Sequence, residues 1–202
     1  MNKADLTLED LKGVGAGAFF RPSHAEALGI SFYMLQRMVE QGLVDKVARG
    51  LYRLNAVEPT ENYSLAAVCA LVPRAIVCLL SALRYHDIGT RLSSEIWIAI
   101  PHKARAPRIH EFPIRVVRFS GASENYGIVS VAIEGVPARI TSPARTVVDC
   151  FRFRRLVGKE TALEALRETL REGKVSADEI VRAAEVCGAK ALVVPYLEGM
   201  AS

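Results

Sequence analysis

Two glycines and one serine constrain the first quarter of this 202-residue chain more than any other feature. Pro22 and Ser23 open a helical stretch, with proline suited to the first turn, and it runs through His24-Ala25-Glu26-Ala27-Leu28 to Gly29, a natural C-terminal cap. Ile30 then precedes Ser31, a good N-cap, and a second helix is expected from Ser31 to Gln41, ended by Gly42. Leu35, Met38 and Val39 fall at i, i+3 and i+4, so this helix buries one stripe and leaves the rest exposed. A helix ending at Gly29, a turn of three to four residues and a second helix from Ser31 have the spacing of a helix-turn-helix.

The next residues alternate. Val44 and Val47 flank a polar pair, Arg49-Gly50 reads as a turn, and Leu51, Tyr52 and Leu54 resume an apolar strand. A hairpin with a basic turn directly after a helix-turn-helix makes a winged helix. Upstream, Leu6, Leu8 and Leu11 predict a first helix ending at Gly13-Val14-Gly15-Ala16-Gly17, since glycine is costly inside a helix. That glycine stretch follows a helix rather than a strand and lacks the lysine of a phosphate-binding loop, so it reads as a turn.

Residues 55–61 are polar, contain Pro59, and form the expected linker. Beyond them, Tyr63 to Leu71 and Ala75 to Tyr85 read as two apolar helices, the second capped by Gly89. Glu95 to Ile100 and Ile114 to Phe119 read as strands, separated by a basic loop at 101–110. Gly127 to Glu134 and Val136 to Ile140 form a hairpin around Gly135. Thr141-Ser142-Pro143 starts a helix in which Val147, Val148, Cys150 and Phe151 bury one face. Gly158 to Arg171 is amphipathic through Leu163, Leu166 and Leu170. Ser176 and Glu179 form a capping box for the next helix, and the last helix ends near Met200. The expected fold class is α+β: a winged helix-turn-helix at 1–57, then a mixed α/β C-terminal domain at 58–202 with a small sheet and a helical C-terminal end.

Half of the residues are hydrophobic and about a quarter charged, which suits a folded core rather than a disordered tail. The most apolar run, Ala75 to Leu83, is too short to span a membrane. Acidic residues in the first ten argue against a secretory signal, and four cysteines without a C-x-x-C pair argue for reduced thiols, so a cytoplasmic location is expected. The net charge of +4 names no partner. Residues 1–57 carry seven Lys/Arg against six Asp/Glu, whereas from Arg84 to Arg155 every positive residue except Lys103 is arginine, the better fork for phosphate and carboxylate.

In a helix-turn-helix, the N-terminal residues of the second helix meet base edges. Here those are Ser31, Phe32, Tyr33, Gln36 and Arg37. Ser31 and Tyr33 can reach phosphates, Gln36 can read adenine and Arg37 guanine. The wing would bring Lys46, Arg49 and Arg53 to the phosphate backbone of double-stranded DNA, a salt-sensitive contribution without sequence preference. Secondary phosphate or partner contacts are expected at Arg105 and Arg108. Arg152, Arg154 and Arg155 read either as further contacts or as a solvated helix end. Arg115, Arg118 and Arg139 could extend the footprint, although Arg115 and Arg118, three apart on a strand, should face opposite sides.

Catalytic and metal constellations are weak. His86-Asp87 ends an apolar helix, where a protonated histidine suits the dipole better than a relay would. Arg145 and Asp149 are four apart on a helix and can pair for a few tenths of a kcal/mol; alternatively Arg145 anchors the loop around Arg84 or meets a partner. His102 and His110 lack metal-ligand spacing, and Glu95 near Lys103 lacks the second carboxylate of a nuclease core. No catalytic residue, metal or cofactor is expected, and the protein is not expected to be an enzyme.

The chain resembles the AbiEi antitoxins, AbiEi-like transcriptional regulators of type IV toxin–antitoxin systems. The N-terminal signature is Phe19-Phe20-Arg21 through Leu28-Gly29-Ile30, then Val47-Ala48-Arg49-Gly50-Leu51-Tyr52-Arg53-Leu54. A second signature is Val77 to Thr90, then Glu95-Ile96-Trp97-Ile98-Ala99-Ile100-Pro101, then Thr141 to Phe151. The resemblance implies a winged-helix DNA-binding domain and a C-terminal antitoxin domain. It implies repression of the protein's own operon through promoter inverted repeats, and a nucleotidyltransferase-like toxin that need not be held in a stable complex. Phe32-Tyr33-Met34 stands where relatives often carry more basic residues. The rival expectations are an antitoxin that binds its toxin directly through residues 58–202, and a nuclease-related enzyme.

Overall fold

A computed structural model of the chain describes residues 18–201; the helix expected around Leu6 to Leu11 and the glycine stretch at 13–17 lie outside them. Among the described residues the architecture mixes helices with two sheets. The chain groups into two compact units. One runs to Pro73 and takes in His110–Phe112 and Val131–Ala138; the other comprises Arg74–Ile109, Pro113–Ser130 and the chain from Arg139 onward.

In the first unit, β1 (Phe19–Phe20) leads into α1 (Pro22–Ala27) and α2 (Phe32–Glu40), and β2 (Val44–Ala48) and β3 (Leu51–Leu54) follow. Both helices end alike. After α1, Gly29 sits at φ 77, and the amide of Ile30 returns to the carbonyl of Ala25 at 2.9 Å. After α2, Gly42 sits at φ 69, and the amide of Leu43 returns to Met38 at 3.0 Å. This is the left-handed cap that glycine accepts without steric cost. Ser31 caps α2 by accepting from the amide of Met34. The strands form an antiparallel sheet of order β1-β3-β2, with a bulge between Lys46 and Ala48. β1 is an element the sequence reading missed, because two residues show no alternation. Phe20, Ala25, Ile30, Leu35, Val44 and Leu54 close the core. The helix α3 (Tyr63–Leu71) completes the unit.

The remaining elements are β4 (Ile76–Val77), α4 (Leu79–Tyr85), β5 (Ile96–Pro101), β6 (Ile114–Phe119), β7 (Ile128–Ile133), β8 (Val136–Thr141), α5 (Pro143–Arg152), α6 (Arg154–Val157), α7 (Lys159–Arg171), α8 (Ala177–Val186) and α9 (Lys190–Ala201). The sheet order is β6-β5-β4-β8-β7. β4 is central, antiparallel to β5 and parallel to β8. The expected helix from Ala75 is therefore wrong at its start: Ile76 and Val77 are β-branched and buried on both sides, a run whose hydropathy suits either element. Gly89 does not cap α4. Asp87 takes the left-handed position at φ 52, and the amide of Ile88 returns to Leu83 at 2.9 Å.

The helix α5 is the centre of the second core. It was expected to bury one face, but every residue from Ala144 to Phe151 is buried. Its start was legible: Ser142 accepts from the amide of Arg145, and Pro143 occupies the first turn. Ser176 and Glu179 form the expected capping box at α8.

Candidate nucleic-acid interface

The chemistry of the first unit is set by which residues of α2 its core leaves out. Leu35 and Met38 point inward. On the first turn Phe32, Tyr33 and Met34 stay outside, at 64%, 72% and 42% exposure. A helix brings i and i+4 onto one stripe. Gln36 therefore follows Phe32, and Arg37 follows Tyr33, one turn along the same surface. Arg37 is exposed; Gln36 is half-buried, and its Nε2 donates to the Tyr52 hydroxyl at 3.4 Å. The Ser31 hydroxyl, exposed, accepts from Met34 at 3.3 Å while keeping its own proton available.

The hairpin divides its three basic residues. Lys46 and Arg49 are exposed, Arg49 in the turn with Gly50 at φ 75. Arg53 is 5% exposed. Its guanidinium lies over the Tyr63 ring at 5.3 Å and donates to the Val57 carbonyl. It is not available to a phosphate, which corrects its place among the expected DNA contacts. Strand alternation was the missed signal: Arg53 lies between Tyr52 and Leu54 on a strand buried on both faces. Burial pushes the Tyr63 hydroxyl above its ordinary range, and Arg53 pulls against that push.

The arginines of the second unit separate in the same way. Arg105 and Arg108 are exposed on the β5–β6 loop. Arg118 organises that loop by donating to the carbonyls of His102 and Ala104, each at 2.7 Å. Arg115 pairs with Glu95 at 3.2 Å and lies over Trp97. Arg139 is half-buried. Of the cluster after α5, only Arg155 is exposed. Arg152 is held by Asp149 at 2.8 Å, and Arg154 donates to the Phe151 carbonyl at 3.0 Å. Arg152 thus belongs to a pair with the buried Asp149, while its side chain stays partly exposed.

Arg145 is fully buried. Its Nε meets Asp149 at 2.8 Å, Nη1 donates to the Tyr126 carbonyl at 2.6 Å and Nη2 to the Ser123 carbonyl at 2.9 Å. The anchored loop is therefore Ser123–Tyr126, not the segment around Arg84. Burial raises the Asp149 carboxyl from its ordinary range, while Arg145 and Arg152 pull it down. His86 Nε2 lies 2.7 Å from the Thr141 carbonyl, and burial lowers its pKa. The end of α4 is served by Lys174, whose ammonium donates to the carbonyls of His86 and Asp87. His86 and Asp87 do end the helix, His86 at the C-cap and Asp87 in the left-handed position after it, but the imidazole is turned to Thr141 rather than to the helix carbonyls.

Among the described residues, no group of three or more His, Cys, Asp or Glu is placed to hold a metal ion. Cys69, Cys78, Cys150 and Cys187 are free and buried; burial pushes the Cys69 thiol up to about 12. No helix among the described residues is long and apolar enough to cross a membrane.

Residues 17–55 match the family model described as a transcriptional regulator, AbiEi antitoxin. The match begins just before β1 and ends one residue after β3. It therefore covers α1, α2 and the hairpin, the segment that carries the exposed residues above. No curated protein matches the chain.

Proposed function

We propose that this protein is a DNA-binding antitoxin that represses its own operon, with residues 17–55 acting as a winged helix on double-stranded DNA. The observation that carries the reading is the exposed first turn of α2, with Gln36 and Arg37 one turn below it, beside a hairpin that leaves Lys46 and Arg49 free, all inside the segment matched by the antitoxin-regulator model. In this reading α2 enters the major groove, Gln36 and Arg37 read base edges, and Ser31, Tyr33, Lys46 and Arg49 hold phosphates. Inverted repeats in the promoter are the operator, and two copies of the protein occupy them. Antitoxicity toward a nucleotidyltransferase-like toxin belongs to the segment from residue 58 onward, and the protein works in the cytoplasm without a cofactor, as a regulator rather than an enzyme.

The test is a gel shift on the DNA upstream of the protein's own gene, with unrelated DNA as competitor. Wild-type protein is expected to shift its own upstream DNA selectively at moderate salt. Arg37→Ala is expected to lose that preference, at a cost of about 1–3 kcal/mol on the cognate site. Indifference of the wild-type protein to that DNA sinks the reading.

A further inference from the structure

Most exposed large apolar side chains among the described residues stand alone along the sequence, at Val57, Leu92, Val129, Leu156, Val186 and Met200, with one exception. Phe32, Tyr33 and Met34 are consecutive, and all three are exposed on the first turn of α2. Single exposed apolar residues need no explanation; three on one helical turn, fanned about 100° apart around the helix end, do. The helix does not need these residues for its own packing, since Leu35 and Met38 supply the buried stripe. They stand on the same turn as the capping Ser31, one turn from Gln36 and Arg37, and in the same unit as Lys46 and Arg49.

Tyr33 carries a hydroxyl that can reach a phosphate. Phe32 and Met34 carry no group able to donate a strong hydrogen bond. Placed against a base edge, they can recognise only an apolar feature, and the major groove presents one: the 5-methyl group of thymine. We infer that Phe32 and Met34 are specificity-determining residues that read thymine methyl groups, so that the operator half-site carries thymines beside the bases met by Gln36 and Arg37. This rests on the DNA-binding reading above. It explains an otherwise uncharged first turn: a cation there would hold any phosphate, whereas an apolar pair discriminates between bases.

The experiment compares two forms of the same upstream fragment, one with thymine and one with every thymine replaced by uracil, which removes only the methyl groups. Full-length wild-type protein is titrated against both at one salt concentration. Binding to the uracil form is expected to weaken by roughly fourfold for each contacted methyl. The Phe32→Ala/Met34→Ala variant is expected to bind both forms equally, at about the wild-type affinity for uracil DNA. Both side chains are exposed, so the variant should keep the wild-type circular dichroism spectrum. Equal wild-type binding to both forms overturns the inference while leaving the DNA-binding reading intact. Failure to bind the thymine form overturns both. If the double substitution instead splits a dimer of the free protein and leaves the thymine preference unchanged, the patch is a contact between copies and the inference falls.

Discussion

Arg49 and Arg53 lie four residues apart on one hairpin, and burial alone separates their roles. Arg49 is exposed; Arg53 stacks over Tyr63 and donates to Val57. Arg49→Ala should therefore weaken binding on every sequence and lower the slope of log affinity against log salt by about one. Arg53→Ala should leave that slope unchanged and instead lower the urea midpoint of unfolding. A salt slope reduced by Arg53→Ala would contradict its buried position. His86 makes a pH prediction. Its pKa lies below the ordinary 6.5, with burial as the first cause and Lys174 adding to it, while the Thr141 carbonyl and Asp87 oppose. The unfolded chain then binds a proton that the folded one refuses, so this residue's contribution is complete above about pH 6.5 and falls as the pH drops through that value. His86→Gln, which keeps a donor for Thr141, should flatten the loss of stability between about pH 7 and about pH 5.5. An unchanged profile in urea titrations would assign that loss to other groups. Both residues show the limit of a one-dimensional reading. The chain announces a basic residue or a histidine, but its solvent exposure depends on Tyr63 or Thr141, which are distant in sequence.

At the scale of elements, the features that depend on neighbours along the chain were legible. Ser31, Gly29 and Gly42 delimit α2 as expected, Arg49-Gly50 turns the hairpin, and Ser142-Pro143 starts α5. The features that depend on the second strand of a pair were not: β1 has two residues, and β4 lies inside an apolar run indistinguishable from a helix. The pairing of Arg145 with Asp149 was legible from its spacing, but its weight was not. A surface pair four apart stabilises by a few tenths of a kcal/mol. Here both side chains are fully buried, and Arg145 also fills the carbonyls of Ser123 and Tyr126. Replacing one partner leaves a buried charge uncompensated, so Asp149→Asn should cost about 3–5 kcal/mol. Urea unfolding of the full chain checks this, and a loss below about 1 kcal/mol would show that the pair relaxes toward water when broken.

At the scale of the whole molecule, the first unit is discontinuous in sequence, which a linker-based reading could not see. The polar stretch at 55–61 looks like a boundary because it is rich in turn formers. Yet within the unit Thr60 donates through both its amide and its hydroxyl to Glu134, at 2.7 and 2.6 Å. Tyr63 packs between Phe19 and Phe112, with ring centroids 5.6 and 6.3 Å away. The C-terminal end of the apparent linker and the first residue of α3 are thus tied to residues roughly seventy and fifty positions further on, and β1 meets an aromatic from α3. A fragment of residues 1–57 lacks Tyr63, Phe112 and Glu134, so Phe19 loses its ring partner and Arg53 loses the face it covers. That fragment should melt at a lower temperature than the same segment does in the full chain, followed by amide exchange of α2 and β3. Extending it to residue 73 restores α3 and should recover part of the protection, while Glu134 and Phe112 remain missing. Equal protection of α2 in the 1–57 fragment and the full chain would show that the hairpin and two helices fold alone, and that the later segments lie against them without stabilising them.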